Sequence, residues 1–344
     1  MTDETPTPDG GGRFNHFEGG SIYWHPQIGA IRVSGAIREK WSMYGWERGF
    51  FGYPTRDATT SGSVLSQEFQ GCLITFDATS CVVRVTRSPS VAAPIFEVAI
   101  HAIRARDTNG ARATTITQDE IREWVNWANR IFEVTGIRFT YNGAIATIDD
   151  TDVNNGDPSL PRWTYVKNML DQVSRHERNL VVLFRFGPDA TRPTGGGFSS
   201  EEFVVMPQFG TNNRCPGQEN VGMLAHELGH FFGLPHTMRV IFDTEDDAKQ
   251  FFISNSLDPL PFDQDWSVVS DTAPDPFIGS EQCRFDTRAY VWAGKAVAIE
   301  RENIMSYYHC DFVHKTFSWQ QTIKMRDNLL ARRAAGLNVV EVTR

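Results

Sequence analysis

The sequence predicts two folds in series: a small module rich in β-structure and turns, then an α/β (α+β) domain built on a mixed sheet. Three observations carry this. An aromatic and glycine pattern recurs near the N-terminus, strands and helices alternate from residue 96 onward, and one run in that alternation is apolar throughout, as in a sheet covered on both faces.

The bulk properties bound what the chain does. Its 344 residues carry 33 basic and 42 acidic side chains, a formal net charge of −9, which argues against nucleic acid or an anionic membrane as the main partner. At 40% hydrophobic and 22% charged it has material for a real core, and its length suits two domains better than one. No run of 18 apolar residues exists, so no membrane span is expected. Residues 1–12 read as a flexible tail without the basic and apolar regions of a secretory signal. A removed signal, another export route and an internal location all stay open on this ground.

Residues 13–88 form the module. Phe17 to Trp24 aligns with Phe69 to Phe76 at a spacing of 52, with the turn-rich stretch Gly49-Phe50-Phe51-Gly52-Tyr53-Pro54 between the copies. Taken together these residues resemble the LGFP repeat of bacterial envelope and secreted proteins, which implies an association with cell-wall polymer. Cys72 and Cys81 flank a short expected hairpin where a local disulfide fits. Residues 89–94, in a Ser-, Pro- and Ala-rich stretch, read as a linker.

The second domain, 95–344, begins with an alternating strand over Phe96 to Ile103. A helix follows over Thr117 to Phe132, where Thr117 and Glu120 fit a capping box. Ile137 to Tyr141 reads as a strand, Pro161 to Ser174 as a helix, Leu180 to Phe184 as the fully apolar strand, and Phe203 to Met206 as a further strand. Gly195-Gly196-Gly197 precedes neither a helix nor a Lys-Ser/Thr pair, so it is not a phosphate loop.

Glu219 to Phe232 reads as a helix bearing His226-Glu227-Leu228-Gly229-His230. Residues four apart on a helix face the same way, so His226 and His230 can share one zinc ion, with Glu227 beside it as a base for water. Gly233 can take the left-handed conformation that ends a helix, letting His236 swing back as a third ligand. Three imidazoles leave one coordination position open, the layout of a catalytic site. At this chain's own His, Glu and Gly frequencies the pattern HExxHxxGxxH arises by chance in roughly 3 of 100,000 sequences of this length.

That extended pattern resembles the metzincin metallopeptidases. The resemblance implies a metzincin-like fold with an active-site helix and a Met-turn, and Asn303-Ile304-Met305-Ser306-Tyr307 matches the latter. Met305 then forms an apolar floor, and Tyr307, with Tyr308 as competitor, hydrogen-bonds the developing oxyanion. Within the metzincins the chain looks most like the pappalysin family, through His226 to Thr237, Ser270 to Pro274, Asn303 to Tyr307, Cys310 and Phe317 to Arg326. The pappalysin likeness implies a Cys283–Cys310 disulfide. Cys215 is left as a free thiol, and no CxxC pair offers a cysteine zinc knuckle.

These implications make the chain a zinc endopeptidase acting on protein or peptide substrates, secreted or held at the cell envelope, with the module a candidate for wall polymer. The strand Phe203 to Met206 is expected at the cleft's upper edge. Asp311 is a candidate lining for the specificity pocket, favouring Arg or Lys after the cut. The aspartates between Asp243 and Asp275 make calcium a second candidate cation. The rival readings are a zinc hydrolase of peptidoglycan peptides and an inactive wall-binding protein.

Overall fold

The computed structural model describes residues 3–43, 46–48, 51–79, 82–87, 95–156, 163–187, 198–199, 202–207, 222–237, 241–254, 278, 289–292, 295–298, 303–306 and 316–342. They fall into two compact units, one built mainly from residues before Ile95 and the other mainly from Ile95 onward.

The first unit contains β1 (Thr5–Pro6), β2 (Arg13–Phe17), β3 (Gly20–His25), β4 (Gly29–Val33), helix α1 (Gly35–Met43), β5 (Thr59–Ser61), β6 (Val64–Glu68), β7 (Cys72–Asp77) and β8 (Val82–Arg87). They make two antiparallel four-stranded sheets, each in simple chain order. The internal repeat is visible here: β3 and β7 are the third strands of their sheets, and both begin and end 52 residues apart. Tyr23, Val33, Ile37, Trp41, Phe51, Tyr53, Phe69 and Ile74 form the buried core. The Trp41 indole donates to the Gly52 carbonyl at 3.0 Å, so its one polar atom is satisfied inside it.

Two expectations fail in this unit. Residues 3–12 are not a loose tail: β1 pairs with β2, Thr7 is buried, and the Tyr53 hydroxyl donates to Asp9 Oδ1 at 2.7 Å. Polarity and glycine content gave the opposite impression because composition reveals neither the pairing with β2 nor the bond to Tyr53. Cys72 is a buried free thiol, and burial pushes its pKa well up. In the β7–β8 hairpin Cys72 faces Arg87, whereas β8 starts at Val82 opposite Asp77. Cys81 itself lies outside the described residues.

The second unit contains β9 (Ile95–Arg106), α2 (Gln118–Phe132), β10 (Ile137–Asp149), α3 (Thr151–Asn155), α4 (Trp163–Glu177), β11 (Leu180–Arg185), β12 (Phe198–Ser199), β13 (Phe203–Pro207), α5 (Met223–Phe231), α6 (Glu245–Ser254), β14 (Ala289–Trp292), β15 (Lys295–Ala298), α7 (Trp319–Ala334) and β16 (Val339–Val342). The main sheet runs β10-β9-β11-β13-β12, with β16 also on β9. Neighbours among β10, β9, β11 and β13 are parallel, while β12 and β16 are antiparallel, so the sheet is mixed.

The apolar run of β11 explains itself in packing. Val182 and Phe184 join a core with α2, α5 and α7, while Val181 and Leu183 face a second core with α3 and α4. Helix α2 starts with the expected capping box, Thr117 accepting from the Glu120 amide while Glu120 accepts from the Thr117 amide at 2.7 Å. Strand β13, expected at the edge, is interior: it pairs with β11 on one side and with β12 on the other. The two-residue β12 occupies the rim and runs beside α5.

Candidate metal centre

Helix α5 delivers the first half of the site. Leu224, Ala225, Leu228 and Phe231 anchor it in the larger core, which leaves His226 and His230 sharing a face one turn apart. The helix ends where Gly233 turns left-handed, at φ +84°. The Gly233 amide donates to the His230 carbonyl at 2.7 Å and the Leu234 amide to Gly229 at 3.0 Å, the reciprocal pair of a Schellman motif. This reversal brings His236 back over the helix.

The three rings converge through one atom each. His230 Nε2 lies 3.1 Å from His226 Nε2 and 2.9 Å from His236 Nε2, and the remaining pair is 3.2 Å apart. His226 Nδ1 meets the Ile304 carbonyl at 2.7 Å and His230 Nδ1 the Leu234 carbonyl at 2.6 Å. A carbonyl only accepts, so both Nδ1 atoms carry hydrogen and both Nε2 atoms point lone pairs inward. Two such lone pairs, with His236 Nε2 within 3.2 Å of both, favour a cation between them. Tetrahedral zinc with arms of 2.0–2.1 Å sets its ligands about 3.3 Å apart, close to the observed separations. Among the described residues this is the one cluster of three or more metal-ligating side chains, and its donor set suits zinc.

Glu227 stands next to the cluster, 5% exposed. Its Oε2 is buried and makes no hydrogen bond. Burial pushes the carboxyl up to about 8, and a cation held by the neighbouring histidines acts in the opposite direction. A buried carboxylate oxygen left without a donor is costly, and here it is available to a water or substrate atom.

The turn at residues 303–306 supports the site from below. Asn303 is buried, and its side-chain oxygen accepts the Met305 amide at 2.9 Å while its carbonyl accepts Ser306 at 3.1 Å. This leaves the Ile304 carbonyl free for His226 and the Met305 carbonyl for the Thr237 amide, 3.2 Å away, next to His236. Met305 is fully buried. Its sulfur presses so closely on Gly229 that a Cβ there would run into it.

The structure thus brings His226, Glu227, His230, His236 and Met305 together. Tyr307, Tyr308, Cys215, Cys283, Cys310, Asp311 and the segment Ser270 to Pro274 lie outside the described residues. Of the aspartate run, Asp243, Asp246 and Asp247 are described, and the last two lie in the first turn of α6, with Asp247 hydrogen-bonded to Thr244, where negative charge complements the helix dipole. They form no cation cluster with other described residues. Sequence reading missed the carbonyls of Ile304 and Leu234, which no side-chain pattern reveals. It also missed Gly229, although a glycine inside a helix is itself a signal of close approach.

Two family profiles match the chain. One, described as the LGFP repeat, covers residues 1–49, and one, described as metallo-peptidase family M12B reprolysin-like, covers residues 118–237. The second includes both helical histidines, Glu227 and His236, and supports a zinc metallopeptidase in general. No curated protein matches. Among solved structures, one titled as a chaperone–substrate complex is 13% identical with a TM-score of 0.34, over 82% of this chain. The chain spans 40% of that structure's length. Metalloproteinase-II from Bacteroides fragilis is 15% identical with a TM-score of 0.25, over 52% of this chain and 68% of its own. No helix among the described residues is long and apolar enough to cross a membrane.

Proposed function

We propose that the chain is a zinc-dependent endopeptidase of the metzincin type, nearest in pattern to the pappalysins. The observation that carries this is the meeting of three histidine Nε2 atoms within 3.2 Å beside a buried carboxylate with an unpartnered oxygen. His226, His230 and His236 hold the ion. Bound there, zinc would acidify a water and polarise a peptide carbonyl.

Glu227 takes the proton from the attacking water and returns it to the leaving amine. The Ile304 and Leu234 carbonyls keep His226 and His230 in the tautomer that offers Nε2. Met305, in the role of a Met-turn methionine, gives the histidines an apolar floor, and Tyr307 donates to the oxyanion. The substrate adds as a strand at β12 rather than at β13, because β13 has both edges taken. Asp311 selects a basic residue after the cut, and a Cys283–Cys310 bridge steadies the segment around residues 303–306.

Wild type is expected to bind one zinc per chain and digest casein. Glu227→Ala is expected to keep the zinc and lose cleavage by at least a hundredfold. A variant that retains full cleavage would remove Glu227 from the mechanism. The LGFP match favours a second reading, hydrolysis of peptidoglycan peptides by a secreted, wall-bound enzyme. Muropeptide release without casein digestion would select it.

A further inference from the structure

We infer that Asn328 and Arg332, on α7, are positioning residues for His236, acting through the end of α5. The inference rests on reading the three histidines as a metal site. A helix leaves its last four carbonyls without partners inside the helix. In α5 the Schellman turn satisfies two of them, Gly229 and His230. The other two are met from about a hundred residues away: Arg332 Nη2 donates to the Phe231 carbonyl and Asn328 Nδ2 to the Phe232 carbonyl, each at 2.6 Å. With both in place, none of the four is left unsatisfied.

The contact is specific in shape as well as in hydrogen bonding. The Arg332 guanidinium lies 4.1 Å from the centre of the Phe231 ring, so charge, ring face and helix C-terminus attract it together. Asn328 lies so close to Gly233 that a Cβ there would run into its amide nitrogen. Helix α7 is itself anchored, with Met325 and Leu329 fully buried in the larger core. The turn over residues 231–236 is therefore gripped from a rigid element, and the direction in which the chain carries His236 back over α5 depends on that grip. The Phe231 and Phe232 rings are held in the core, but the Schellman turn leaves their carbonyls to Arg332 and Asn328, which set the tilt of the chain that follows. A change in that tilt moves His236 relative to His226 and His230, which are fixed on the helix.

The test uses the full chain with Arg332→Ala, Asn328→Asp and Arg332→Lys. Asn328→Asp keeps the size but removes the donor to the Phe232 carbonyl. Zinc affinity is read by chelator competition, cobalt(II) geometry by its visible absorption, and stability by melting of the metal-free protein. Arg332→Ala and Asn328→Asp are expected to weaken zinc at least tenfold and shift the cobalt bands. Arg332→Lys, which retains a cationic donor, is expected to recover much of both. Should the metal-free melting temperature fall while zinc affinity and the cobalt spectrum match wild type, the two residues only cap a helix and the inference is wrong. A variant that fails to fold leaves the decision to the other two. Wild type that binds no metal overturns the metal reading beneath the inference, a result distinct from wild type and variants binding equally well.

Discussion

A missing side chain matters as much at this site as those that are present. Gly229 costs its helix conformational entropy, and what it permits is contact between Met305 and the helix backbone at the level of the histidines. Gly229→Ala is expected to destabilise the second unit by about 1–3 kcal/mol through overpacking, measured by urea unfolding of the metal-free protein. It should also lower zinc affinity. His16 supplies a prediction in the first unit. Burial, then the charge of Arg38, hold its pKa below the usual histidine value, and its Nδ1 lies 2.7 Å from Ser21 Oγ. The unfolded chain therefore binds the proton more readily than the folded one. The stabilisation is complete above about pH 6.5 and is lost as pH falls through the lowered folded value. Urea midpoints for the first unit should drop between pH 7.5 and 5, and His16→Gln should flatten that slope. At this scale the sequence was most readable where chemistry demands fixed spacing: the three histidines and Glu227 are reached by counting, because helix periodicity converts numbers into directions. Asn328 and Arg332 were not, since a bond to a carbonyl 96 or 101 residues away leaves no local trace.

Among the elements, those with a chemical start or stop signal were the ones sequence reading bounded well. The Thr117–Glu120 capping box opens α2, and the left-handed Gly233 closes the turn after α5. Thr117→Ala is expected to cost about 1 kcal/mol in urea unfolding. Gly233→Ala should cost at least as much, because a Cβ is strained at φ +84° and displaces Asn328. Strand β12 escaped notice because two residues carry no periodicity, and with it went the outer strand of the sheet beside β13. Strand β1 escaped for a related reason, since its partner strand and not its composition orders it. Where pairing decides, local propensity has little to report.

For the molecule as a whole, the two units answer to different conditions. Metal held by the histidines stabilises only the unit that contains them, by about 4 kcal/mol when free zinc exceeds its dissociation constant a thousandfold. Adding a chelator should therefore quicken hydrogen exchange in β9 and β11 and leave β3 and β7 unchanged, which mass spectrometry of the full chain can resolve. Equal acceleration in both units would contradict this. The main sheet also sets a timetable. Strand β16 pairs Val339 with Val98, across 241 residues, whereas the repeats of the first unit close over short distances. A ribosome moving at about 5–20 residues per second needs roughly 12–50 s to span that interval. The strands of the two repeats can pair while β16 and α7 still await synthesis. The histidines of α5 are thus made before the helix and the strand that finish packing their unit.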